Sequence, residues 1–231
     1  MSSQVSVWVP LWLSLKVAGW ATLWASVLGV GIGYGLSRWR SSLSDGLDAL
    51  LTLPLVLPPT VIGYYLLVLL GRRGWLGQWL AKWDIELVFT WQGAVVAATL
   101  VSFPLVLKAA RAAFESLDPS LHHSARVLGV SGMALFLRVS LPLALRGILA
   151  GVLLAFARAL GEFGATLMIA GSIPGRTQTL SIAIYEAVQM GDDGLAQTLV
   201  LVTAVLCIAV LWMARALVPV KTGSAFPGPG R

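Results

Sequence analysis

Apolar residues fall into five long runs, at roughly 11–36, 46–70, 92–112, 146–170 and 195–217, separated by stretches richer in Gly, Pro and charge. Each run is near or above the ~20 residues that an α-helix needs to cross the hydrocarbon core. The pattern therefore predicts an all-α integral membrane protein with five transmembrane helices. A short N-terminal stretch, 1–10, precedes the membrane domain at 11–217, and a polar, Pro/Gly-rich tail, 218–231, follows it. The first residues lack the basic segment of a cleaved signal peptide and lead straight into the first span. No internal repeat stands out.

Composition supports this reading. Of 231 residues, 58% are hydrophobic and 11% charged, and the mean hydropathy is +0.85. A soluble domain of this length could not keep that much apolar surface from water, and a disordered chain would be far more polar. The single cysteine, Cys207, lies in an apolar run, so neither a disulfide framework nor a Cys-rich metal site is expected. The net charge of +6 is scattered between the runs rather than gathered on one face, which excludes a nucleic-acid footprint and points to membrane topology. If the 113–145 loop is cytoplasmic, Arg38, Arg40, Lys108, Arg111, Arg126, Arg138, Arg146, Arg215, Lys221 and Arg231 lie inside. Arg72, Arg73, Lys82 and Arg176 lie outside. That bias, with an odd number of spans, predicts an external N-terminus and a cytoplasmic C-terminus.

Three features stand out within and between the apolar runs. Pro54, Pro58 and Pro59 in the second run, and Pro104 in the third, remove backbone donors and are expected to kink or open their helices. Such breaks at membrane depth are tolerated beside protein or a water-filled path. In the fourth run Arg158 and Glu162 stand four apart, an expensive placement that reads either as a buried pair or as an arginine attracting anions in a pore. Gly161 and Gly164 beside them would let a neighbouring backbone approach. Between the second and third runs, Trp75, Trp79 and Trp83 recur every four residues, as along one side of a short helix in the headgroup region.

The 113–145 loop is partly apolar. Asp118-Pro119 signals a helix start, and "SLHHSARVLG" reads as a short amphipathic helix ending at Gly129. A second short segment with Met133, Phe136 and Leu137 leads to "LPLA". A helical, partly apolar cytoplasmic loop suits docking to a partner protein.

Here the chain resembles permease subunits of binding-protein-dependent ABC importers. Their cytoplasmic loop carries Glu-Ala-Ala, three residues, Gly, nine residues, then Ile-x-Leu-Pro. This chain has His123-Ser124-Ala125, Gly129 and Val139-Ser140-Leu141-Pro142 at the same spacing. It departs from the motif at His123-Ser124, which replace Glu-Ala. The segments "LPLVLPPTVIGYYLL", "GRRGWLG", "SFPLVLKAARAAFE" and "FARALGEFGATLMIAGSIPGRTQTLSIAIY" are similar to permeases of molybdate importers over about residues 10–215. The sulfate/thiosulfate permeases are relatives of these, usually longer and with a different segment at Gly161–Thr166.

The resemblance implies the type I ABC importer permease fold with a cytoplasmic coupling helix, in the inner or plasma membrane. It implies a homodimer of permeases amid membrane lipid, two cytoplasmic ABC ATPases and an external molybdate-binding protein. Coupling to the ATPase would fall to His123, Ser124, Ala125, Arg126, Leu128, Gly129, Leu141 and Pro142. The translocation path and gate would involve Pro58, Pro59, Thr60, Ser102, Arg158, Glu162 and Thr166. No Gly-Lys-Ser/Thr phosphate loop occurs, so ATP and Mg are expected on the partner ATPase, with no cofactor, metal or catalytic residue on this chain. Tungstate is not separable from molybdate by charge or shape, and a sulfate/thiosulfate permease is the first alternative. A membrane enzyme lacks a catalytic constellation here, and a proton-driven secondary transporter working through Glu162 is the less favoured alternative.

Overall fold

The computed structural model describes residues 7–39, 41–118, 120 and 129–217. Its regular elements are α1 (Trp8–Arg38), α2 (Ser42–Val56), α3 (Pro59–Leu70), α4 (Trp75–Ala81) and α5 (Trp91–Glu115). After the loop come α6 (Gly132–Leu160), α7 (Gly164–Ala170), α8 (Leu180–Gln189) and α9 (Asp193–Leu217). Among the described residues, α1, α5, α6 and α9 are each long and apolar enough to cross a membrane, and α2 with α3 make a fifth, bent span. The chain is a multi-pass membrane protein.

α5 is the centre, because glycines of α1 and α6 let both helices come close to it. Gly29 and Gly33 of α1 sit where an added Cβ would meet Val106 Cβ at 2.9 Å and Ala110 Cβ at 3.1 Å. Numbers rise together along both helices, so α1 and α5 run parallel. On another side Gly147 would meet Ala113 Cβ at 2.8 Å and Gly151 would meet Ala109, so α6 runs antiparallel to α5. Close backbone approach at small residues is how helices gain packing where lipid removes the hydrophobic drive. The two ends of the bundle follow. Phe89 N–H donates to Ile169 O (2.9 Å) and Leu180 N–H to Ser14 Oγ (2.7 Å) at the end where α1 and α5 begin. At the opposite end Arg111 bridges Asp48 (3.0 Å) and Glu115 (2.7 Å), and Lys108 pairs with Asp48, tying α2 to α5.

The prolines act unequally. Leu57 (ψ 140°) and Pro58 (ψ 134°) are extended, as residues before proline prefer, and Pro59 then opens a new helix at its first position. The two halves meet at 107°. Pro54 and Pro104, by contrast, lie inside uninterrupted helices. Pro54 falls in the last turn of α2, where few bonds remain to lose. Pro104 is buried in α5 between α1 and α6, whose packing outweighs one lost backbone bond, so the expected opening of the third span does not occur.

Two further expectations change. The segment with Met133 and Phe136 is the start of α6 rather than a separate loop helix. It passes through a π-helical turn at Phe136–Ser140, where Leu141 N–H reaches back to Phe136 O. Pro142 would otherwise clash with the carbonyl four residues back, and widening the turn relieves this. The fourth run is not one helix either: α6 ends at Leu160, and Gly161–Phe163 break it from α7. α8 was not foreseen, although Leu180, Ala183 and Ala187 form its buried stripe.

Candidate functional site

The two breaks meet. An added Cβ on Gly164, at the start of α7, would lie 3.1 Å from Pro59 Cβ and 3.4 Å from Thr60 Cγ2, at the start of α3. One turn on, a Cβ on Gly63 would lie 2.6 Å from Met168 Cβ and 2.9 Å from Ala165 Cα. α3 and α7 therefore pack backbone to backbone, a contact that Gly63 and Gly164 permit. Gly161 plays no such part, since only Ala157 O at 3.7 Å would be near its Cβ.

Glu162 sits in the break between α6 and α7, not one turn further along a continuous helix. Its side chain is 1% exposed. Oε2 accepts from Arg158 Nη1 at 2.6 Å and Oε1 from Ala165 N–H at 2.9 Å. The carboxylate thus neutralises Arg158 and also satisfies a donor that the first turn of α7 would leave unpaired. Negative charge at that end is favoured by the helix dipole as well. Arg158 is 32% exposed, so the pair is half buried rather than sealed. Phe163, in the same break, packs its ring 5.1 Å from Tyr185 of α8, linking the junction to the end of the bundle.

The other expected path residues divide by exposure. Pro58 and Thr60 face outward, whereas Thr166 is buried (1%). Its hydroxyl has no hydrogen-bond partner among the described residues. Ser102 is fully buried and donates within its own helix to Ala98 O (2.7 Å). Its hydroxyl faces helix backbone, not an open path. Among the described residues, no group of three or more His, Cys, Asp or Glu could hold a metal ion.

Of the expected coupling residues, His123, Ser124, Ala125, Arg126 and Leu128 lie outside the described residues. Their flanks are described. Asp118 Oδ1 accepts from Ser120 N–H at 2.8 Å, and this bond holds the Asp118 carboxyl below its ordinary range. The contact is an Asx turn, in which the carboxylate accepts from the amide two residues on. Gly129 has φ +69° with open space around its missing Cβ, so its need is conformational and not steric. Leu141 packs with Phe114 and Ile148, while Pro142 is exposed. The Asp48–Lys108–Arg111 cluster escaped the sequence reading. Its signal was two acids, Asp45 and Asp48, in the first turns of α2 and two bases three apart near the end of α5.

Residues 25–222 match the family described as binding-protein-dependent transport system inner membrane component. The chain is 44% identical over 214 residues to the molybdenum transport system permease protein ModB of Escherichia coli (strain K12), covering 90% of this chain and 93% of that protein. It is 38% identical over 172 residues to the sulfate transport system permease protein CysT of the same organism, covering 74% and 62% respectively. Among solved structures, the MetNI methionine ABC transporter in an inward-facing conformation matches with a TM-score of 0.73 at 17% identity, over 94% of this chain and 97% of that one. This likeness fixes the fold as that of type I ABC importer permeases.

Proposed function

Because the chain belongs to the family of binding-protein-dependent transport system inner membrane components, we propose that it forms the membrane path through which an ATP-driven importer takes up molybdate. The observation that carries this reading is the 44% identity to a molybdenum permease over nearly the full length of both proteins. Tungstate, of like charge and shape, would share the path.

In this reading a second copy completes the path, two cytoplasmic ATPases supply the energy, and an external binding protein delivers the oxyanion. ATP and Mg belong to the ATPase, so this chain is a conduit and not an enzyme. The N-terminus lies outside and the C-terminus inside, in keeping with the distribution of Lys and Arg. The segment from His123 to Gly129 docks on the ATPase, and ATPase closure biases a permease that has two states. The junction of Pro58, Pro59 and Thr60 with Gly164 is the part that moves, since two broken helices can pivot where continuous ones cannot. Glu162 holds Arg158 and caps α7, so it acts as a fixed support and not as a substrate ligand.

The test is uptake of labelled molybdate by cells expressing the chain with its partner subunits, in competition with unlabelled oxyanions. Competition by molybdate and tungstate far below the concentration needed for sulfate is expected. Sulfate competing as well as molybdate would favour a sulfate permease instead.

A further inference from the structure

An apolar groove of about 640 Å³ runs along the outer side of α1 and α5, roofed in part by Leu51 and Leu66. Trp20, Trp24 and Leu28 line it from α1, and Trp91, Val96 and Phe103 from α5. Trp20 also borders a shallower recess that contains Lys16. The Lys16 ammonium sits 3.6 Å from the centroid of the Trp91 ring. Among the described residues no carboxylate pairs with it.

Depth decides what such a lysine meets. At ~1.5 Å per residue, Lys16 and Arg38 lie ~33 Å apart along α1, close to the ~30 Å thickness of the hydrocarbon core. The two bases therefore bracket the core, with Lys16 at the level of one layer of headgroups. Along α1 the groove runs from Trp20, one turn beyond Lys16, to Ile32, a rise of ~18 Å that slightly exceeds the ~15 Å of one leaflet's hydrocarbon. A cation at the headgroup level above an apolar channel one leaflet deep matches one ligand chemistry: a phosphate on an acyl chain.

We propose that this groove binds an anionic glycerophospholipid, with its phosphate on Lys16 beside Trp91 and one acyl chain between α1 and α5. The ring of Trp91 holds the ammonium in place from below, and Trp20 and Trp24 border the chain. The lipid fills the space left where α2 and α3 diverge at their bend, and so supports the bent span from the membrane side.

The experiment uses the purified full-length chain in detergent. Phosphatidylglycerol or phosphatidylcholine bearing brominated acyl chains is titrated while tryptophan fluorescence is followed. Saturable quenching with preference for phosphatidylglycerol is expected. Lys16→Gln should reduce that preference about fivefold, the ~1 kcal/mol of a lysine near an anionic surface converted at ~1.4 kcal/mol per tenfold. Val96→Trp, which fills the groove and leaves Lys16 intact, should abolish saturable quenching, and if it fails to fold the Lys16→Gln comparison decides alone. Unchanged preference in Lys16→Gln, or unchanged saturable quenching in Val96→Trp, overturns the proposal. So does a disulfide between two Trp24→Cys chains in membranes, which would place a second copy in the groove.

Discussion

Removing either partner of the Arg158–Glu162 pair should have unequal effects, and the inequality follows from exposure. Arg158→Gln leaves a carboxylate that is 1% exposed, held by the Ala165 N–H alone. Unpairing a buried charge costs ~3–5 kcal/mol, and nothing here relieves it. Glu162→Gln leaves a guanidinium that is 32% exposed and therefore far less desolvated than the carboxylate. Gln can still accept from Ala165 N–H, so only the ionic part is lost, at ~1.5–3 kcal/mol for a bond to a charged group. The double change leaves no lone charge and should lie within ~1–2 kcal/mol of the wild type. For a chain of this length 1 kcal/mol moves the unfolding midpoint ~2–4 °C, so Arg158→Gln should lower it by roughly 6–20 °C and the double variant by much less. The assay is thermal unfolding of the purified chain beside ATP-dependent uptake in vesicles containing the partner subunits. The reasoning is refuted if Arg158→Gln unfolds like the wild type and assembles normally while its flux collapses. Arg158 would then be a substrate ligand in the path.

Other expectations follow from single contacts. Gly63→Ala should force α3 and α7 apart at Met168 and cost ~1–3 kcal/mol as an overpacked contact, whereas Gly161→Ala should be nearly neutral; equal thermal midpoints for the two would contradict the junction. Gly129→Val should cost ~1–2 kcal/mol in a left-handed position and cut uptake severalfold while the complex still assembles, with Gly129→Asn retaining most uptake because Asn tolerates that conformation. Normal transport by Gly129→Val would remove the loop from coupling. Asp118 has a folded pKa below its ordinary 3.8, so its bond to Ser120 is present above that value and is lost as pH falls through the folded pKa. Exchange of the Ser120 amide, compared with Asp118→Ala, should be slower in the wild type near neutral pH and alike in the two chains in strong acid; no difference at neutral pH would exclude the bond.

What could be read from the sequence was what one helix decides for itself. The five apolar runs, the break at Pro58-Pro59 and the Arg158–Glu162 contact all depend on local pattern and proline chemistry. What could not be read was set by neighbours. Pro104 stays helical because α1 and α6 grip α5, which nothing near residue 104 announces. The break at Gly161 was hidden by its apolar flanks, so the fourth run looked continuous. Nothing local sets Gly63 apart from other transmembrane glycines, because its role depends on the α7 backbone packed against it. α8 was missed because it follows a Gly/Pro turn and hydroxyl residues, and its buried stripe is short. Trp83 fell outside α4, which ends at Ala81, because a run of like residues at helical spacing says nothing about where the helix stops.

The central claim is that the chain is the conduit of an ATP-driven importer. Its most direct test is molybdate uptake into proteoliposomes holding the permease and its ATPase, with the loaded binding protein outside and ATP within. Uptake should require both ATP and the binding protein, and should be indifferent to a proton gradient. Accumulation driven by a proton gradient without ATP, and abolished by Glu162→Gln, would show instead a secondary transporter working through that carboxylate.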